Sequence, residues 1–461
     1  MQQLLPAFVM VSAVTSGLLW ILIRHHTVGV LLVMAAHAWG SVAGQGSALV
    51  LGIHVYPADA LSLCAAGVGL GRLLVHGVPR RAGLGPLLGL GALTLCSTLR
   101  GIGTFGLQPA VNDARMSSWY LLAAALYTAT MPAEVRLERV VGRAWGATAV
   151  AYAGLCLIGW ARHGLHAVTY RATADGAVID PRPVPAAAAL VLTQAAVLWV
   201  YAPAEQKDRT EAVVVPGRLR RAAPALVLLL FVVLLQHRTV WVVTVAMVMV
   251  GFVLSTVTRK RGSLPAAMAV LSVSLVVLMY QLGAFGTIGN AIATSFEEVR
   301  RSNSTLEWRL AGWQQLLPRS TAEWLSGVPF GSGYDRVVGG SLVTVGPHNY
   351  YVHLLLRLGL LSLVLLIGWY VLTWRRLSSK GPWDVTLRVL MAGQLIFFVT
   401  YSASPEQGVL LGLCMWYLRT RAAGAASGSG SHGVPPIQLP KSAGRPADDV
   451  LAAPTVRGAS R

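Results

Sequence analysis

Long apolar runs broken by short polar connections dominate the hydrophobic pattern of this chain. They fall near 4–23, 28–50, 58–75, 84–99, 117–132, 141–160, 184–202, 223–236, 239–257, 264–283, 351–373, 385–403 and 406–419. About 20 apolar residues cross a bilayer as a helix, whereas barrel strands show short alternating segments. The pattern therefore predicts an all-α polytopic membrane protein with about 12–13 transmembrane helices. The first run has no basic residue before it and no small-residue cleavage site after it, so it reads as a retained helix.

Composition agrees with this. Of the 461 residues 55% are apolar and 12% charged, against about 25% charged in soluble domains. Mean hydropathy is +0.60. The formal net charge is +19. No basic stripe with interleaved aromatics runs through the sequence, so no nucleic acid partner is expected, and the charge reads as basic cytoplasmic loops. Cys64, Cys96, Cys156 and Cys414 are dispersed among apolar runs and form neither a metal spacing nor a disulfide framework.

The basic loops set orientation. Arg80–Arg81; Arg136, Arg139 and Arg143; Lys207 to Arg221; Arg259–Lys260–Arg261; and Arg375, Arg376 and Lys380 occupy alternate connections. Placing them inside puts 50–57, 100–116, 161–183, 236–239 and 284–350 outside. The chain thus divides into transmembrane helices over 1–283, a large extracytoplasmic loop over 284–350, two or three further spans over 351–421, and a Gly/Ser/Ala/Pro-rich cytoplasmic tail over 422–461. The tail has too little apolar surface to offset the entropy of ordering.

The 284–350 loop is too long for a simple connector. Ser304-Thr305-Leu306-Glu307 has the form of a capping box. Leu306, Leu310, Trp313, Leu316 and Leu317 then recur at helical spacing, with Arg309 four residues before Trp313. Next comes Gly327-Val-Pro-Phe-Gly331-Ser-Gly333-Tyr334, which is turn chemistry and not a phosphate-binding P-loop, since no Gly-Lys-Ser/Thr follows. The loop closes on Gly346-Pro347-His348-Asn349 before an apolar run. Upstream, Gln236-His237-Arg238-Thr239-Val240-Trp241 sits in a very short outer connection.

Arg309-x-x-x-Trp313, Gly331-x-Gly333 and His348-Asn349, in that order within one large outer loop and preceded by Arg238, resemble the O-antigen ligase and polymerase superfamily. The resemblance is strong from about 230 to 375. It implies transfer of a glycan from an undecaprenyl-diphosphate-linked donor to a glycan or lipid acceptor, at the outer face of the bacterial cytoplasmic membrane and among its lipids. It also implies a GT-C-like fold and a metal-independent inverting reaction. No cofactor or metal is expected.

Such a reaction needs a cationic grip on a diphosphate and a base for the acceptor hydroxyl. Arginine presents a permanently charged planar fork to phosphate, and histidine titrates near working pH. His348 is accordingly the expected catalytic base, or the group that positions the acceptor. Arg238 and Arg309 are the expected diphosphate ligands, with Trp313, Asn349 and Arg357 as further substrate contacts. Each has a structural alternative: snorkelling for Arg238, a surface ion pair for Arg309, a helix cap for Asn349 and a structural buried charge for Arg357. His237 is a secondary candidate, and His353 reads as packing or lining. Arg300, Arg301 and Arg336 read as solvated loop charges, while Arg100, Arg115 and Arg162 would extend a basic surface. The rival reading is a secondary transporter or flippase of lipid-linked sugars, which needs polar groups along a central path. The spans hold few: Arg357, Arg388 and scattered glutamines. A third option is a peptidoglycan-type polymerase of related architecture.

Overall fold

The computed structural model describes residues 4–42, 48–50, 53–77, 83–164, 171–172, 178–179, 182–201, 219–257, 305–320, 323–338, 341–378 and 381–428. The run expected at 264–283, together with Arg259–Lys260–Arg261, Arg300, Arg301 and Ser304, lies outside them.

The protein is an all-α polytopic membrane protein. Among the described residues, four helices are long and apolar enough to cross a bilayer: Pro57–His76, Leu84–Phe105, Glu138–Arg162 and Tyr350–Arg376. Shorter apolar helices accompany them at Ser12–Arg24, His26–Ala35, Ala186–Tyr201, Ala223–Leu234 and Arg238–Leu254. Their outward faces carry bare apolar side chains: Leu74 is 86% exposed, and Leu95, Leu99, Val150 and Val245 are also exposed. A water-soluble helix would carry charge there; these faces suit lipid.

The inward faces pack on small and polar residues. Gln194 Nε2 donates to Gln407 Oε1 (2.9 Å), Trp145 Nε1 to Gln194 Oε1 (3.2 Å), and Gln394 Nε2 to the Gln407 carbonyl (2.9 Å). Such bonds hold helices together where lipid offers no hydrophobic driving force between them.

Two boundaries differ from the sequence expectation. The connection expected at 100–116 is helical: Leu84–Phe105 runs on through Arg100, and after Gly106 a short helix, Leu107–Ala114, passes through a π-turn at Arg115–Trp119 into Tyr120–Ala129. Arg100 is tolerated in the helix because its guanidinium pairs with Glu323 and donates to the Gly327 carbonyl (3.3 Å). The final helix, Pro405–Gly428, continues past residue 422, where the tail was expected to begin.

The part of the long loop that is described has structure of its own. Helix Thr305–Leu316 leads into a 3₁₀ turn at Leu317–Ser320, and Arg336–Val338 pairs antiparallel with Ser341–Val343. Tyr350–Arg376 then begins, and it is kinked at Gly359 (φ 73°, ψ −176°). Segment 323–334 wedges against this kink. Leu360 N donates to the Trp324 carbonyl (2.8 Å) and Val328 N to the Leu356 carbonyl (2.7 Å). A Cβ on Gly359 would stand 2.0 Å from the Leu325 carbonyl oxygen, so the loop fits only against a bare backbone.

Candidate functional site

Five segments meet around a cavity of about 660 Å³. Its walls come from 109–120, from 185–187, from the glycine loop at 331–334, from 344–348 with His353, and from 397–405. The polar groups facing it include Asp113, Tyr334, His348, His353 and Ser404, with Tyr401 as an aromatic wall.

His348 stands at the turn into the Tyr350–Arg376 helix, with φ 49°. That left-handed conformation is unusual for a residue with a side chain and marks stored strain of a kind found at functional sites. Two neighbours hold it there. Trp313 Nε1 donates to the Pro347 carbonyl (2.6 Å), and Asn349 Oδ1 caps the next helix by accepting from Val352 N (3.0 Å). The Trp308 ring lies 6.3 Å from the His348 ring.

Burial, followed by the nearby Arg309 and Arg336 charges, pushes the His348 imidazole down from 6.5 to about 4. At neutral pH it is therefore unprotonated and able to take a proton. Arg309 lies with its guanidinium carbon 5.5 Å from the centre of the Tyr401 ring; Tyr401 lines the cavity, and Arg309 is not itself among the lining residues. The structure thus brings Arg309 and His348 together, as the sequence anticipates, and Trp313 supports the turn between them.

Arg238 opens the Arg238–Val257 helix and is half-buried. Its neighbour His237 donates from Nε2 to the Val184 carbonyl (3.0 Å), and residues 185–187 follow directly as cavity wall. Arg238 is not itself among the lining residues.

Arg357 corrects the sequence expectation. It is fully buried, and its fork is occupied by protein. Nε is 2.8 Å from Asp113 Oδ2 and donates to the Tyr334 hydroxyl (3.0 Å). The terminal nitrogens donate to Ser332 Oγ, the Pro329 carbonyl (3.4 Å) and the Gly333 carbonyl (2.8 Å). A guanidinium tied this way fixes the glycine loop and has no fork left for phosphate. Arg336 also departs from expectation. It is 4% exposed and bridges the Tyr334 and Val345 carbonyls (3.0 and 2.7 Å), and burial with the Arg319 charge lowers its pKa. Arg115, expected on a basic surface, pairs with Asp59 (2.8 Å).

Asn349 does what its structural alternative predicts, and caps a helix. Asp113 was missed because 100–116 reads as a connection. It accepts from Gly331 N (3.1 Å) and the Tyr334 hydroxyl (2.5 Å) as well as from Arg357. Its sequence signal is slight: an acid in a chain with 37 basic and 18 acidic residues. Burial, reinforced by the Asp113 charge, holds the Tyr334 hydroxyl well above its ordinary pKa, so it stays protonated and can donate. Among the described residues no group of three or more His, Cys, Asp or Glu is placed to hold a metal ion.

The geometry can therefore hold an anion near Arg309 and accept a proton at His348. Residues 223–367 match a protein-family model described as O-antigen ligase, which supports membership of that superfamily. The matched stretch contains Arg238, Arg309, Trp313, the glycine loop, His348 and Arg357. Among curated proteins, none matches the chain.

Proposed function

With similarity to O-antigen ligases as the premise, we propose that this membrane protein transfers a glycan from an undecaprenyl-diphosphate-linked donor to an acceptor hydroxyl, as a polysaccharide ligase or polymerase. The single observation that carries the reading is an unprotonated imidazole, His348, lining the cavity with the Arg309 charge close enough to act on it. A base and a cation side by side are what the reaction requires.

The acceptor oxygen attacks the anomeric carbon while the bond from that carbon to the diphosphate oxygen breaks. The diphosphate leaves with the bonding electrons, and the hydroxyl proton passes to His348. One displacement inverts the anomeric centre. Arg309, with Arg238 as second ligand, neutralises the leaving group, so the reaction needs no metal. The diphosphate also offsets the positive field on His348. Burial, the larger cause of the depression, stays in place, but easing the arginine repulsion moves the imidazole upward and makes it a better base.

The charge pattern supports an outer-face location. The Tyr350–Arg376 helix has His348 just before its start and Arg375–Arg376 at its end. Beyond the Gly359 kink, residues 360–376 run about 25 Å at 1.5 Å each, most of the way across a hydrocarbon core. A basic end is the kind that stays on the cytoplasmic side, which supports reading His348 as outside.

The test is product formation by purified protein in detergent, with lipid-diphosphate-linked glycan, an acceptor and no ion gradient. Wild type forms product and His348→Ala, inserted and folded, forms none. Unchanged transfer by His348→Ala removes the assignment.

A further inference from the structure

The cavity contains a second imidazole. His353 lines it alongside His348, is 6% exposed, and lies one turn into the Tyr350–Arg376 helix. The transfer step described above leaves it without a task.

Its tautomer follows from counting protons around Tyr334. That hydroxyl meets Asp113 Oδ1 at 2.5 Å, Arg357 Nε at 3.0 Å and His353 Nδ1 at 3.1 Å. Guanidinium only donates, and an ionised carboxylate only accepts. The phenol has one proton, and it goes to Asp113. Its oxygen then accepts from both others, and of the two ring nitrogens in reach the nearer, His353 Nδ1, is the one assigned the hydrogen. Asp113 balances the single charge of Arg357, and an imidazolium would add a second positive charge with no counter-ion. The ring is therefore neutral, with its lone pair on Nε2. That nitrogen lies 3.5 Å from the same hydroxyl, whose only proton is already committed. Among the described residues no other donor reaches Nε2, although the side chain borders a cavity large enough for sugars.

We infer that His353 Nε2 accepts a hydrogen bond from a sugar hydroxyl of the glycan that occupies this cavity. A lone pair held in place by the Asp113–Tyr334 pair matches a neutral polyol and offers nothing to phosphate. His348 and Arg309 then serve the reacting groups, and His353 reads the glycan. The inference rests on the glycan-transfer reading above.

The experiment measures kcat and KM for donor and acceptor separately, using purified wild type, His353→Asn and His353→Gln. Asparagine places a donor near the Nδ1 position and keeps the bond to Tyr334, but it cannot reach the Nε2 position. Glutamine carries an oxygen to that position. Loss of one neutral hydrogen bond predicts that His353→Asn raises one KM about fivefold, with kcat little changed, and that His353→Gln restores most of it. The substrate whose KM moves supplies the hydroxyl. Thermal unfolding of each variant in detergent confirms that it is folded. Unchanged KM for both substrates, equal rises in the two variants, or a fall in kcat alone overturns the inference. A wild type that forms no product overturns the functional reading itself, and the inference with it.

Discussion

The indole nitrogen of Trp313 donates to the Pro347 carbonyl at 2.6 Å, which fastens the helix bearing Arg309 to the turn bearing His348. This bond is the direct link between the proposed phosphate ligand and the proposed base. Trp313→Phe keeps most of the ring and removes the donor. We expect transfer to fall about tenfold or more, since small misplacements at a reacting centre are costly, while unfolding temperature changes little. Steady-state rates on the folded variant decide it, and an unchanged kcat would show that the link is dispensable.

Burial, and after it the arginine beside His348, sets the acid side of the pH profile. His348 acts when unprotonated, so the rate is full above its pKa and falls as pH drops through it. In free wild type that fall centres near pH 4. Arg309→Gln removes one repulsive charge, so the imidazole rises towards 6.5 and the acid limb of kcat/KM moves up in pH. A limb that stays in place would detach Arg309 from the base.

Asp113 and Arg357 stabilise each other. Asp113→Asn leaves a buried guanidinium without its counter-charge, which costs about 3–5 kcal/mol. Arg357→Met on that background removes the orphaned charge and should recover part of the loss. A double-mutant cycle by denaturation in detergent measures the coupling, and additive single effects would mean that the pair does not interact.

Asn349 separates capping from recognition. Aspartate at this position still accepts from Val352 N, so Asn349→Asp should keep both stability and transfer, while Asn349→Ala loses about 1 kcal/mol. Loss of transfer in a stable Asn349→Asp protein would instead assign the amide to substrate.

Gly359 admits no side chain. Its φ of 73° and the Leu325 carbonyl 2.0 Å from a modest Cβ predict that Gly359→Ala destabilises by at least about 1–3 kcal/mol from backbone strain alone. The glycine loop should loosen with it. Limited proteolysis within 323–334 reads this directly, and wild-type resistance would show that the kink is not needed to seat the loop.

Much of the architecture was legible in the sequence because bilayer solvation acts on each segment by itself. A run such as 58–75 or 351–373 must be helical and apolar wherever its neighbours lie. The order Arg309, Trp313, His348 was legible too, since those residues sit close together on one loop with local helical and turn signals. The capping role of Asn349 was readable, because capping depends only on the residues that follow it.

What the sequence determined alone was therefore what local physics dictates: apolar helices, and the helix and turn carrying Arg309 and His348. Tertiary structure decided which charges are available. Arg357, Arg100 and Arg115 look alike in the chain, but each ends against carbonyls or carboxylates supplied by residues distant in sequence, as Arg357 does with Asp113. A charge brought out of water must find its partners in space, and spacing along the chain does not record where those partners stand. The same holds for His353, whose tautomer depends on Tyr334 and Asp113 meeting across three segments.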